Sequence, residues 1–138
     1  MRNLLMLISS LFLLTGLHAA EEKTPFDGID QAKPLLGEKI EQTALKDKLV
    51  LLVYWNVDCP LCTCPKRGPF KELIAFQKKN GNGNFTILAS HVGAREEAAT
   101  EFCTKQKVNF PVLQRFLSPA APCHGTPTAV LIDQEGKV

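Results

Sequence analysis

Three apolar runs along the chain predict the strands of a central sheet. Residues 48–57 (KLVLLVYWNV) form an almost unbroken apolar stretch that is rich in valine and leucine. A run of this length and composition favours a strand buried on both faces, as in parallel sheets. Two shorter runs, residues 85–90 (FTILAS) and 128–132 (TAVLI), predict two further strands.

Between these runs, two stretches carry apolar residues at helical spacing. Phe70, Leu73 and Ile74 stand at helical intervals and lysines occupy the opposite face, so one helix is predicted from residue 59 to residue 79. Residues 94–107 repeat the pattern, with glutamates near the start and lysines near the end, as the helix dipole favours. The resulting βαβαβ order predicts an α/β sandwich with a mainly parallel sheet.

Residues 1–20 are predicted to be a secretory signal peptide. Arg2 supplies the positive start, residues 4–14 form an apolar stretch, and the segment ends in two alanines. We therefore expect a periplasmic or secreted protein, with membrane anchoring only if this segment is retained. Residues 21–36, which have two prolines and little periodicity, predict a loosely ordered lead-in to a folded domain at residues 37–138.

The carboxyl end of the sequence leaves two interpretations open. Residues 133–136 form a turn that leads toward a further strand, and the sequence stops at residue 138. Either the chain is a fragment, truncated before a last strand and helix, or its sheet lacks an edge strand and its fold lacks a final helix.

Composition and charge narrow the function classes. The 138 residues are 45% hydrophobic and 22% charged, which suits one globular domain and excludes disorder and collagen-like structure. The 16 lysines and arginines against 14 aspartates and glutamates give a net charge of +2 without a basic arm, so no nucleic-acid partner is expected.

The five cysteines are the candidate chemistry, because three of them fall within six residues, which is poor spacing for a stapled scaffold. Cys59-Pro60-Leu61-Cys62 directly follows the long apolar strand and opens the predicted helix. This placement puts the first sulfur beside unpaired backbone N–H groups, which lower its pKa and favour a thiolate. The second sulfur lies one turn further on, where it can resolve a mixed disulfide. Asp58 is expected to oppose the lowered pKa by charge repulsion, which predicts a reductant or isomerase-like poise.

Together these features resemble the thioredoxin superfamily, most closely the exported TlpA/ResA-type thiol-disulfide oxidoreductases. The resemblance covers residues 37–138 and rests on four matching segments: residues 45–48, the aromatic pair Tyr54-Trp55, the C-P-L-C motif, and the G-T-P-T of residues 125–128 with the strand and Asp-x-x-Gly after it. It implies an α/β fold, a thioredoxin-like three-layer α/β/α sandwich around a mixed, mostly parallel sheet. It also implies exchange with disulfides of other exported proteins, an unidentified thiol electron donor and no organic cofactor beyond the redox-active disulfide.

The resemblance further implies a role for particular residues. Cys59 is expected to attack and Cys62 to resolve, while Pro127 is expected to be cis and to pack against them. The residues expected to form the substrate groove are Trp55, Asp58, Thr126 and Pro127.

The helix after the motif departs from the family pattern. Arg67 stands where a helix-kinking proline is expected, and prolines at positions 65 and 69 flank it. We therefore expect the first turn of this helix to be rearranged. Val53 replaces the buried acid of thioredoxin itself, so proton transfer from such a group is not expected.

Cys64 adds an alternative function, because it extends the motif to C-x-x-C-x-C, a pattern with the look of a Cu(I) or zinc site. The alternative is a Cu(I)-binding metallochaperone that uses Cys59, Cys62 and Cys64, with Cys123 or His124 assisting. Two other interpretations of Cys64 and Cys123 stay open: they are accessory thiols that pair with each other, or they are surface thiols.

The remaining candidates have less specific signals. A thiol peroxidase ranks last, because Asn56 stands where a threonine or serine is expected three residues before the attacking cysteine. Cys103 is predicted to be an inert core thiol, and His91 to be a hydrogen-bonded histidine at the end of a strand.

Overall fold

The computed structural model describes residues 23–138. The predicted signal peptide, residues 1–20, lies outside the described residues and stays a prediction. Among residues 23–138, the helices are all too short or too polar to cross a bilayer.

A five-stranded sheet forms the centre of the fold, with strand order β1-β4-β3-β2-β5. Its three central strands, β4, β3 and β2, are mutually parallel, and the two outer strands run antiparallel to their neighbours. This confirms the predicted α/β fold with a mixed, mostly parallel sheet. The elements are β1 (Lys33–Leu36), β2 (Leu49–Trp55), α1 (Pro60–Thr63), α2 (Phe70–Asn80), β3 (Phe85–His91), α3 (Glu96–Gln106), β4 (Val112–Gln114) and β5 (Thr128–Ile132).

The strand predicted at residues 128–132 is confirmed, but it is not the third parallel strand of a βαβαβ unit. Thr128–Ile132 runs antiparallel to β2, whereas the third parallel strand is Val112–Gln114, which the apolar pattern does not mark as a strand. The physical reason lies in the connections, since a parallel neighbour needs a long crossover such as α3. Residues 115–127 contain no helix, so the strand that follows them enters the sheet in the opposite direction.

The loosely ordered lead-in predicted at residues 21–36 is corrected for the part that the structure describes, from residue 23 onward. Lys33–Leu36 forms an edge strand paired with β4, and Pro34 is tolerated there because an edge strand has one side free of ladder hydrogen bonds. Upstream of it, Phe26 and Ile29 are buried in the core. Non-local pairing, which periodicity does not report, orders this segment.

The helix predicted from residue 59 to residue 79 is divided into α1 and α2 by an irregular segment. Cys64 has an extended backbone (ψ 124°), as is favoured for a residue that precedes a proline. Gly68 then folds back and donates its N–H to the Cys64 carbonyl at 2.7 Å. The first turn, Pro60–Thr63, is itself helical, so the expected rearrangement lies after it, at residues 64–69.

Both faces of the sheet are covered, but by different kinds of structure. Helices α1, α2 and α3 contribute to one apolar cluster, because two right-handed crossovers that step the same way across a sheet place their helices on the same face. The opposite face packs against two short 3-10 helices, Ile29–Gln31 and Gln42–Leu45, and the loop around Phe116. The cysteine motif belongs to the helical face.

Candidate active site

The candidate site lies at the carboxyl end of β2, where loops of an α/β sheet commonly form binding sites. A turn follows the strand, with the Cys59 N–H donating to the Asn56 carbonyl at 3.0 Å. Cys59 is the N-cap residue of α1, and Pro60 occupies the first helical position, which needs no N–H partner. Cys59 is therefore held at the start of the helix, partly exposed to solvent.

The pKa of the Cys59 thiol lies below its ordinary value, as predicted. Burial by itself raises this pKa, but hydrogen bonds to the thiolate outweigh the effect. Their donors are the Thr126 hydroxyl, the Cys62 thiol and the backbone N–H groups of Leu61 and Cys62. Because α1 is only four residues long, these local donors, rather than a long helix dipole, favour the thiolate.

Cys62 occupies the opposite kind of environment one turn further along α1. Its side chain is 1% exposed and belongs to the apolar cluster that also contains Phe70. Burial raises the pKa of the Cys62 thiol to about 11, so this group is protonated at neutral pH. The two cysteines thus have the different pKa values that an attacking and a resolving thiol require.

The loop that carries the predicted cis-proline faces Cys59. The Thr126–Pro127 peptide bond is cis, as predicted, and Cys59 Sγ donates a hydrogen bond to the Thr126 carbonyl oxygen at 3.4 Å. Thr128 Oγ1 donates to the Gly125 carbonyl at 2.7 Å and closes the loop locally. Pro127 is exposed and Thr126 partly so, which makes this loop a wall of the site.

Trp55 does not line an accessible groove, contrary to the prediction. Its side chain is 0% exposed and contacts Phe70, Phe102 and His91, with ring centroids 4.8, 5.5 and 4.9 Å away. Alternation along β2 turns it toward the helical face, where α2 and α3 cover it. Trp55 therefore belongs to the buried cluster that packs against the cysteine motif, and it is a core residue.

Asp58 lies at the surface, as expected for a groove residue, but its charge is paired. The Arg95 guanidinium Nη1 donates to Asp58 Oδ1 at 2.6 Å. The pKa of Cys59 is lowered overall, and its main causes are burial and hydrogen bonds, so repulsion by Asp58 does not dominate it. The reductant poise that rested on this repulsion loses its main support.

His91 is buried at the carboxyl end of β3, as the sequence predicts, and is hydrogen-bonded on one side only. Its Nδ1 lies 2.8 Å from Gln114 Oε1, while Gln114 Nε2 donates to the Gly93 carbonyl at 2.8 Å. Because the Gln114 nitrogen faces a carbonyl, its oxygen must accept, so His91 carries its proton on Nδ1. His91 Nε2 is left buried without a protein partner, as is the indole nitrogen of its neighbour Trp55.

The predicted accessory residues Cys64, Cys123 and His124 are not arranged as a metal site. Cys64 and Cys123 are partly exposed, His124 is exposed, and Cys123 Sγ donates to the Gly125 carbonyl at 3.3 Å. Within residues 23–138, no group of three or more His, Cys, Asp or Glu side chains is arranged to hold a metal ion. The Cu(I) alternative stays a prediction without support from this geometry.

Cys103 is the core thiol that the sequence predicts. It is 0% exposed within the helical-face cluster, and burial raises the pKa of its thiol to about 12. This thiol is therefore inert toward disulfides in solution.

Sequence reasoning missed the contribution of the loop after β3. Gly93 lies so close to the β2–α1 turn that a Cβ on it would stand 2.4 Å from Asn56 Oδ1, and Arg95 reaches Asp58 from the same loop. The signal available in the sequence was the position of these residues directly after a predicted strand. Since the carboxyl ends of neighbouring parallel strands share one edge, the two loops must meet.

The contrast between the two thiols predicts the order of alkylation. With a pKa of about 11, only about one Cys62 thiol in a thousand is ionised near pH 8. In the folded protein, iodoacetamide should therefore modify Cys59 far faster than Cys62, as measured by peptide mass spectrometry. Alkylation of any cysteine slows when the pH falls below the pKa of its thiol. Because the pKa of Cys59 is lowered, its alkylation should slow at a lower pH than alkylation of a free cysteine.

Denatured protein is the control for this prediction, because unfolding removes the burial of Cys62 and should bring the two rates together. Equal rates of modification for Cys59 and Cys62 in the folded protein would contradict the prediction.

Comparison with known proteins gives a relative by sequence. The chain is 35% identical over 106 residues to the thiol-disulfide oxidoreductase ResA of Bacillus subtilis strain 168. The match covers 74% of this chain and 56% of the relative, so this chain spans little more than half of that protein's length. No protein-family model matches the sequence. The resemblance to ResA-type proteins drawn from the motifs is confirmed.

Two solved structures show the same architecture. A thiol-disulfide isomerase from Corynebacterium glutamicum superposes with a TM-score of 0.64 at 18% identity, covering 76% of each chain. A secreted disulfide oxidoreductase from Mycobacterium tuberculosis superposes with a TM-score of 0.59 at 20% identity, covering 77% of each chain. Identities this low establish the fold, which is thioredoxin-like as predicted.

Proposed function

We propose that this chain, which has the thioredoxin-like fold and is similar to ResA thiol-disulfide oxidoreductases, exchanges electrons with protein disulfides through Cys59 and Cys62. The observation that carries the proposal is that two thiols on one short helix differ in exposure and in pKa. Cys59 is partly exposed with a lowered pKa, and Cys62 is buried with a pKa of about 11. One thiol is therefore ready to attack, and the other stays protonated until it is needed.

In the first step, the Cys59 thiolate attacks one sulfur of a client disulfide. A Cys59–client S–S bond forms, the client S–S bond breaks, and the second client sulfur leaves as a thiolate that takes a proton from water. The Thr126 carbonyl, 3.4 Å from Cys59 Sγ, belongs to the exposed loop that the client chain would lie against.

In the second step, Cys62 loses its proton to solvent and attacks Cys59 Sγ. The intramolecular Cys59–Cys62 disulfide forms, and the client leaves with its second thiol. The client thus gains two electrons and two protons, and the dithiol is oxidised. Proximity drives this step, because both thiols lie on one helical turn.

A thiol donor in the same compartment would return the dithiol to its reduced form when the protein acts as a reductant. A lowered Cys59 pKa stabilises the reduced form and makes the disulfide a better oxidant. With Asp58 paired to Arg95, an isomerase-like poise is favoured over that of a strong reductant.

The proposed place of action is outside the cytoplasm. The signal-like pattern of residues 1–20 supports it, and the Mycobacterium tuberculosis protein of the same fold is described as secreted. The proposed clients are therefore exported proteins that carry disulfides.

The test is the Cys62→Ser variant incubated with oxidised insulin. Without the resolving thiol, the mixed disulfide formed by Cys59 should accumulate as a covalent adduct, visible by non-reducing electrophoresis and lost on addition of dithiothreitol. Wild-type protein should release its client and show no lasting adduct.

Cys64→Ser is the matched control, because this variant keeps both proposed reacting thiols and should turn over like the wild type. An adduct in the Cys62→Ser variant that maps to a cysteine other than Cys59, or equal turnover by Cys62→Ser and wild-type protein, would contradict the mechanism.

A further inference from the structure

An ion pair between Asp58 and Arg95 is formed one residue before the cysteine that is proposed to attack. Asp58 precedes Cys59 in the chain, and its Oδ1 accepts a hydrogen bond from Arg95 Nη1 at 2.6 Å. The two side chains are 46% and 66% exposed, so water surrounds the pair. An exposed pair of this kind contributes little to the free energy of unfolding, about 0–1 kcal/mol. Its position suggests a role other than stability.

Two neighbouring loops place the side chains of Asp58 and Arg95 within hydrogen-bonding distance. Asn56 Oδ1 accepts the Asp58 N–H at 3.0 Å, which holds the turn before Cys59 in a single shape. Gly93 lies against the same Asn56 side chain and places the β3–α3 loop alongside the turn. Arg95, two residues later, is the N-cap residue of α3, and its carbonyl accepts the Ala99 N–H at 3.0 Å.

Resting on the proposed function of Cys59, we propose that Arg95 is a positioning residue that neutralises the Asp58 carboxylate and so keeps the Cys59 thiolate available for attack. A free carboxylate one residue away repels a thiolate, whereas a paired carboxylate does so weakly. Arg95 acts through Asp58 and does not touch the reacting sulfur in this role.

Among residues 23–138, the other residues that contact Cys59 carry no charge that would attract or repel its thiolate. Cys62 on α1 is a buried neutral thiol at physiological pH, and Thr126 on the cis-proline loop is uncharged. Asp58 is thus the carboxylate next to Cys59 in the chain, and Arg95 is the cation that the structure places on it.

The size of the effect follows from Coulomb's law for exposed charges. A carboxylate at about 7 Å in water changes the thiol pKa by roughly half a unit, which changes the thiolate fraction below the pKa about threefold. The interaction is screened at high salt, because the Debye length falls to about 3 Å at 1 M.

The experiment measures the rate of Cys59 alkylation at low salt, over a range of pH, in the Arg95→Gln variant. Below the pKa of Cys59, this rate should fall about threefold relative to wild type, and the difference should disappear at high salt. Arg95→Lys keeps the positive charge and should retain the wild-type rate. The double variant Asp58→Asn with Arg95→Gln removes both charges and should restore it.

The matched control is Lys33→Gln, which breaks the exposed Lys33–Glu96 pair at the start of the same helix. This variant should leave Cys59 alkylation unchanged. An unaltered rate of Cys59 alkylation in Arg95→Gln would overturn the proposal. A double variant as slow as Arg95→Gln would also overturn it, because Arg95 would then act through structure and not through the charge of Asp58.

Alkylation does not require disulfide exchange, so the two proposals fail separately. If Cys62→Ser traps no client but Arg95→Gln slows alkylation as expected, the charge effect stands and the proposed exchange does not. The reverse result rejects the role of Arg95 and leaves exchange supported.

Discussion

Replacing Cys59 with serine is expected to abolish the reduction of insulin disulfides. A serine hydroxyl is neither ionised at neutral pH nor able to form the S–S bond on which both steps depend. The exchange rate should fall to the uncatalysed background, a loss on the order of 10³-fold or more. The measurement is the turbidity of precipitating insulin B chain in the presence of dithiothreitol.

The control for this loss is Cys103→Ala, which removes a fully buried thiol from the helical-face cluster. This variant should keep the exchange rate of the wild type, although its free energy of unfolding should fall by about 1 kcal/mol. If Cys59→Ser reduces insulin as fast as Cys103→Ala, Cys59 is not the attacking thiol.

The second large effect is expected from Gly68→Ala, on the segment that separates α1 from α2. A Cβ at residue 68 would stand 2.6 Å from two backbone carbonyl oxygens, those of Cys62 and Cys64. Backbone atoms cannot rotate away as a side chain does, so the turn behind the motif must shift. The free energy of unfolding should fall by about 1–3 kcal/mol, measured by urea denaturation.

Gly83→Ala is the matched control for this substitution, because a Cβ at residue 83 meets no atom within 4 Å. This variant should have wild-type stability or gain up to about 1 kcal/mol through a less flexible unfolded chain. Because the backbone of Gly68 lies against the Cys62 carbonyl, a shift of this turn should expose Cys62, so only Gly68→Ala should also speed its alkylation. Equal stabilities of the two variants would contradict the proposed clash.

Local patterns predicted the centre of the site correctly. The apolar run of β2 followed at once by C-P-L-C specifies a strand, a turn and a helix start within one continuous segment. Each of these depends on neighbouring residues, so the backbone N–H groups and the Cys62 thiol that help to lower the pKa of Cys59 follow from the sequence, whereas the contribution of Thr126 comes from a distant loop. An irregularity near the start of the helix was expected from the prolines at positions 65 and 69, but the division into α1 and α2 was not predicted.

Charge effects and exposure were predicted less well, because they depend on distant partners. Asp58 appeared to be an unopposed negative charge, although Arg95, 37 residues later, neutralises it. Trp55 was assigned to the groove by its position beside the motif, but alternation along β2 and the covering helices bury it completely.

The strand β2, the reactive pair of cysteines directly after it and the helix α3 were determined by the sequence itself, because each is specified by residues that are adjacent in the chain. The cis-proline was implied by the resemblance to a known family. Only the tertiary structure decided that Lys33–Leu36 is a strand, that Thr128–Ile132 runs antiparallel to β2, and that the loop after β3 meets the turn before Cys59. These features arise from pairing between segments far apart in sequence. The free energy of such pairing comes from hydrogen bonds and burial that no single segment contains.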